Sequence, residues 1–118
     1  MEKVHLLFNQ LLWSYFNDHV KIVCQDNLPW LLKIHILGDL QDKDFTEEEV
    51  AILFKILESP LDLYAVELMP KESLYKFIAY FLQLEDSELD KNLLEAILKS
   101  HGIDDSIECN SIWEAYSF

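Results

Sequence analysis

The side chains in this sequence that could do chemistry are few and scattered. Segment 42–46 (DKDFT) starts like a calcium-binding loop. However, Glu47 stands at the sixth position, where such a loop needs Gly, and Leu53 stands at the twelfth, where it needs a bidentate Glu. Helix capping explains these residues better than calcium binding, so we expect no metal site there.

Candidate nucleophiles and acid–base groups are equally isolated. His19 and Cys24 are five residues apart, with no third group to orient them as a catalytic pair. The acid pairs at 85–86 and 104–105 are expected on surface loops, without the burial that tunes a catalytic carboxylate. The two Gly residues are far apart, which excludes a Gly-rich phosphate loop. We therefore expect no enzymatic activity and no cofactor.

The charge of the chain is its most informative property. Twenty-two acidic residues stand against nine basic ones, giving a net charge of −13, and every basic residue is Lys. Most of the excess lies in segments 39–49 and 85–118. Because the chain is strongly negative, it should be repelled by nucleic acid and by anionic membranes. It also lacks Arg, the usual bidentate contact to phosphate and guanine. It should instead be attracted to a basic protein.

Apolar residues recur at helical spacing along most of the chain, and its two Gly and three Pro are too few for many short strands. Segment 20–24 is short and rich in β-branched residues, so a strand is open there, although a short helix or extended link is favoured. Helices are predicted over 3–17, 29–37, 46–58, 59–69, 70–84, 87–101 and 104–116.

Several helix ends carry recognisable capping residues. Thr46 with Glu49 forms a capping box, flanked by a hydrophobic staple of Phe45 and Val50. Ser87 with Asp90 forms a weaker box. Further predicted caps are Gly38 and Gly102 at C-termini, and Ser59 before Pro60 and Asp105 at N-termini.

These elements predict an all-α fold, a compact bundle of about six or seven short helices in one acidic domain over residues 1–118. Apolar quartets at 11–16, 52–57 and 93–98 repeat at a 41-residue offset. This offset lies in the range of HEAT or armadillo repeats, so stacked HEAT-like helix pairs are the alternative to an orthogonal bundle.

The expected location is the cytoplasm. Cys24 and Cys109 lack metal-ligand spacing and are interpreted as reduced thiols. The first residues do not read as a signal peptide, and the chain lacks an apolar stretch of about 18 residues that could span a membrane.

Two acidic segments are predicted to contact a partner. The stretch from residue 104 interleaves acids with large aromatic side chains, which are frequent binding hot spots. The alternative is that the acids are solvated and that the core of a final amphipathic helix includes Ile107, Ile112, Trp113 and Tyr116. The predicted contacts are Asp104, Asp105, Glu108, Trp113, Glu114 and Tyr116, and in the second segment Asp42, Asp44, Glu47 and Glu48.

In size, charge and lack of catalytic motifs, the chain resembles bacterial immunity proteins of the colicin and contact-dependent-inhibition types, although it shares no sequence motif with them. This resemblance implies an inhibitor that neutralises a basic, nuclease-type toxin by covering its active site. Two alternatives stay open: a phage-type acidic nucleic-acid mimic acting on a host enzyme, and an adaptor that self-associates through residues 73–84. The oligomeric state is left open.

Overall fold

The computed structural model describes residues 2–20, 38, 40, 45–58 and 64–116. Within these residues the chain forms α-helices and one π-helical segment, Phe16–Val20, and no strand. The prediction of an all-α fold is confirmed. The described α-helices are α1 (Lys3–Tyr15), α2 (Glu47–Glu58), α3 (Tyr64–Leu68), α4 (Lys71–Glu85), α5 (Lys91–Ser100) and α6 (Ser106–Tyr116).

The chain divides into two compact units. The first consists of Met1–Leu12 and Pro70–Phe118, and the second of Trp13–Met69. The single domain over residues 1–118 and the 41-residue repeat both stay predictions. None of the described helices is long and apolar enough to cross a membrane.

Helix α4 supplies much of the core of the first unit. Eight of its fifteen residues are buried. The ring of Phe77 lies 5.8 Å from that of Phe8 on α1 and 5.9 Å from that of Phe81, centroid to centroid. Helix α6 packs along α4 and also against α5. These contacts fix the position of α6, which carries four of the ten predicted partner contacts.

The second unit contains α2 and α3, which pack against each other. Its described core includes Leu53 and Ile56 of α2 and Val66 of α3, all almost fully buried. The spacing of the two α2 residues, three apart, places them on one face of the helix.

The capping box at the start of α2 forms as predicted. The Thr46 backbone N–H donates to Oε1 of Glu49 at 2.9 Å, and the Glu49 N–H donates to Oγ1 of Thr46 at 3.2 Å. Two backbone donors that the first turn leaves open are thereby satisfied. The predicted staple between Phe45 and Val50 stays a prediction, although Val50 is buried.

Thr46→Ala is expected to destabilise the protein by about 1 kcal/mol, because it removes the side-chain acceptor of the Glu49 N–H. The free energy of unfolding, measured in urea, tests this. Thr46→Ser keeps the hydroxyl and should retain most of the stability. Equal losses from both substitutions would show that the hydroxyl does not cap α2.

Helix α5 ends in a Schellman motif at Gly102, which confirms the predicted C-terminal cap. Gly102 has φ of +78°. Its N–H donates to the Lys99 carbonyl at 2.9 Å, and the Ile103 N–H donates to the Leu98 carbonyl at 2.8 Å. Both apolar residues of this motif, Leu98 and Ile103, are buried. The Lys3 ammonium also donates to the Gly102 carbonyl at 3.0 Å.

Gly102→Ala is expected to cost about 1–2 kcal/mol, because an L-residue is strained at this positive φ. The other glycine provides a matched control. Gly38 is helical, its φ is not positive, and a Cβ there would meet nothing within 4 Å. Gly38→Ala should therefore stabilise by about 0.5 kcal/mol. Thermal unfolding tests both predictions: the melting temperature should fall for Gly102→Ala and rise for Gly38→Ala. A change in the same direction in both variants would contradict this account.

The predicted box of Ser87 with Asp90 is wrong in its details. Helix α5 begins at Lys91, and Oδ1 of Asp90 accepts the Leu93 N–H at 2.7 Å. The physical reason is that this carboxylate caps its own helix, so it cannot serve as the third residue of a helix begun at Ser87.

Two further helix boundaries differ from the predictions. Gly38 is itself helical, so it does not end the predicted helix over 29–37. Helix α1 ends at Tyr15 and continues as the π-helical segment to Val20, where polar Asn17 and Asp18 weaken α-helical preference. The predictions over 21–37, and over 59–63 before α3, lie outside the described residues.

Candidate functional site

A surface cleft lies where α5 turns into α6, within the first unit. The Schellman motif brings Ile103 back towards Leu98, which gives the cleft an apolar base. Helix α6 then starts with Asp105 as its cap, because Oδ1 of Asp105 accepts the Ile107 N–H at 2.8 Å. The predicted N-cap of the last helix is thus confirmed.

We call this feature the α5–α6 cleft, and its volume is about 190 Å³. Its charged members are three carboxylates and one ammonium, so its side chains carry an excess of negative charge. The cleft gathers two of the predicted partner contacts, Asp104 and Asp105, together with residues that the sequence did not single out. The lining residues are Glu95, Leu98, Lys99, Ile103, Asp104, Asp105, Ser106 and Cys109.

Cys109 brings a free thiol to this cleft. Burial raises the pKa of the thiol above its ordinary value, and the nearby carboxylate of Glu95 raises it further. A thiol with a raised pKa is protonated at neutral pH and is a poor nucleophile. The cleft therefore combines charged and apolar side chains with a thiol of low reactivity.

Glu108, another predicted partner contact, is engaged within the first unit. Its side chain is only 15% exposed, and its Oε1 lies 3.5 Å from Nζ of Lys71. The hydroxyl of Tyr75 donates to the same oxygen at 3.4 Å. Burial raises the pKa of Tyr75, and the carboxylate of Glu108 raises it further. These contacts tie α6 to α4, so Glu108 has an internal structural role.

Lys71 also pairs with the N-terminal segment, because its Nζ lies 2.8 Å from Oε2 of Glu2. The hydrogen bond from Lys71 lowers the pKa of Glu2 and raises that of Lys71. Both side chains are about half exposed, so the contribution of this ion pair to stability is small.

The remaining predicted contacts on α6 differ in exposure. Glu114 is exposed, whereas Trp113 is half-buried, between the predicted alternatives of core and surface. The side chain of Tyr116 lies outside the described part of the chain. Ile107 is 73% exposed near the start of α6, so the alternative that placed it in the core is wrong for this residue, whereas Ile112 is buried as that alternative predicts. A single exposed apolar side chain is common on protein surfaces and does not by itself mark a binding site.

The second acidic segment belongs to the other compact unit. Glu47 and Glu48 are exposed in the first turn of α2, whereas Glu49 is buried in the capping box. Acids in a first turn are favourable to the helix dipole, which explains this position without a partner. Asp42 and Asp44 lie outside the described residues.

Within the described residues, no group of three or more His, Cys, Asp or Glu side chains is arranged to hold a metal ion. Asp86 accepts the Glu88 N–H at 3.0 Å in a local turn. His101 is exposed at the C-terminal cap of α5.

Sequence reasoning missed the apolar base of the cleft and the part played by Glu95. One signal was available. An apolar residue directly after a C-terminal Gly is the usual mark of a Schellman contact, and Ile103 follows Gly102.

Comparison of the chain with protein-family models, with curated proteins and with solved structures gave no match.

Proposed function

We propose that this protein is an inhibitor that binds a basic protein, and that its partner is a nuclease-type toxin whose active site it covers. The observation that carries the proposal is the charge: a net −13 without any Arg. A nuclease needs a basic surface to hold its polyanionic substrate, so an acidic protein can associate with that surface quickly and block it.

The placement of the acids supports this proposal. In the first unit, the exposed acids directly before α6 and on it are Asp104, Asp105 and Glu114. In the second unit, the first turn of α2 exposes Glu47 and Glu48. Among the described acidic side chains at these helices, Glu49 and Glu108 are engaged internally and Asp105 uses one oxygen as a cap. The exposed carboxylates are therefore available to a cationic partner.

An acidic mimic of nucleic acid, acting on a host nucleic-acid-binding enzyme, is the second candidate, because the same charge supports it. Self-association through residues 73–84 has less support. Three of its four aromatic side chains, Phe77, Tyr80 and Phe81, are buried. The fourth, Tyr75, is half-buried and donates to Glu108 of the same unit, so the stretch does not form an exposed aromatic surface.

Affinity capture at two salt concentrations tests the proposal. The tagged chain is exposed to lysate and secreted fractions of its native host at about 50 mM and about 500 mM salt, and the captured proteins are tested for cleavage of DNA and RNA. We expect one basic nuclease, retained better at low salt. A host polymerase or repair enzyme would favour the mimic, and recovery of nothing at either salt concentration would contradict both.

A further inference from the structure

We propose that the α5–α6 cleft binds an arginine side chain of a basic protein partner. This inference rests on the proposed function, because it names the contact by which such a partner would be recognised. The overall charge predicts only a basic partner. The cleft predicts which chemical group of the partner is bound and where on α5 and α6 it binds.

The base of the cleft fits the alkyl part of a long side chain. Leu98, Ile103 and Cys109 line it and are each more than nine-tenths buried. Its volume of about 190 Å³ is roughly that of six liquid waters. A space of this size suits one long side chain rather than a helix or strand of a partner.

The rim of the cleft fits a cation. Within the described part of the chain, the side chains of Glu95 and Asp104 make no hydrogen bond or ion pair. Asp105 uses Oδ1 to cap α6. Carboxylates beside an apolar base favour arginine over lysine, because a guanidinium is planar, weakly hydrated and able to bind carboxylate in two-pronged geometry.

Two neighbouring side chains adjust this surface. Ile107 is largely exposed close to the rim and offers apolar contact to the partner. Lys99 lines the cleft with the opposite charge, so it should weaken the binding of a cation. Removing the ammonium of Lys99 should therefore strengthen the binding of a cation, whereas removing a carboxylate should weaken it.

A peptide titration tests the cleft without the natural partner. A tri-arginine peptide and the isosteric, uncharged tri-citrulline peptide are added up to millimolar concentration to the full-length ¹⁵N-labelled chain. We expect amide shifts centred on residues 95–109 with tri-arginine and much smaller shifts with tri-citrulline. The absence of shifts at residues 95–109, or equal shifts around residues 47–48, would overturn the proposal.

Three single-charge variants complete the test. Asp104→Asn should weaken tri-arginine binding about fivefold, and Lys99→Gln should strengthen it by a similar factor. Glu47→Gln, a matched charge change in the other unit, should leave binding at the cleft unchanged. Equal effects of Asp104→Asn and Glu47→Gln would mean general attraction and would overturn the proposal. Because the probe is a peptide, this result is independent of whether a nuclease is captured.

Discussion

Neutralising three exposed acids, two directly before α6 and one on it, is expected to slow association with a basic toxin about tenfold at roughly 50 mM salt. The variant carries Asp104→Asn, Asp105→Asn and Glu114→Gln, which remove three exposed negative charges. Asn is as good an N-cap as Asp, so the cap at residue 105 should persist. The association rate constant, measured by stopped-flow fluorescence with the captured toxin, tests this result.

The salt dependence separates steering from loss of contact. At about 0.5 M salt the screening length falls to a few ångström, so the variant and the natural chain should associate at similar rates. Glu108→Gln is the contrasting substitution, because this carboxylate is engaged with Lys71 and Tyr75. It should change stability more than the association rate. If the association rate constant of the natural chain did not change with salt concentration, electrostatic steering would be contradicted.

Phe77→Ala is expected to cost about 3–5 kcal/mol of folding free energy. The ring is fully buried in a cluster with Phe8 and Phe81, whose ring centroids lie 5.8 and 5.9 Å from its own. Its removal leaves a cavity where α1 and α4 meet and takes away two aromatic contacts. Because domains of this size are stable by only about 5–15 kcal/mol, much of the variant should unfold in mild urea.

A matched substitution separates the cavity from the loss of aromatic contacts. Phe77→Leu fills most of the space and should cost roughly half as much. Ile107→Ala serves as the surface control, since Ile107 is 73% exposed and should change stability by less than about 0.5 kcal/mol. A cost below about 1 kcal/mol for Phe77→Ala would contradict the central position of this ring.

The helical fold could be predicted from sequence because its determinants are local. The box at Thr46, the cap at Gly102 and the cap at Asp105 each involve residues within a few positions of one another. The prediction at Ser87 was wrong because two capping residues compete there, and Asp90 forms the cap. Choosing between such neighbours depends on where the helix packs, which local pattern does not show.

The candidate site was predictable only in part. Asp104 and Asp105 were identified by charge and are exposed at the cleft. Glu108 was identified by the same charge, but it pairs with Lys71, 37 positions away, on a neighbouring helix. The contribution of Glu95 on α5 was missed for a similar reason, because only the turn at Gly102 brings α5 and α6 to one cleft.

The most direct test of the central claim is inhibition of the captured nuclease. Cleavage of a fluorescent oligonucleotide is followed while the full chain is titrated into the enzyme at low salt. We predict that activity falls to zero at one chain per enzyme, and that the triple α6 variant needs a higher concentration to reach the same end point. Undiminished cleavage when every enzyme molecule carries a bound chain would contradict the proposed function.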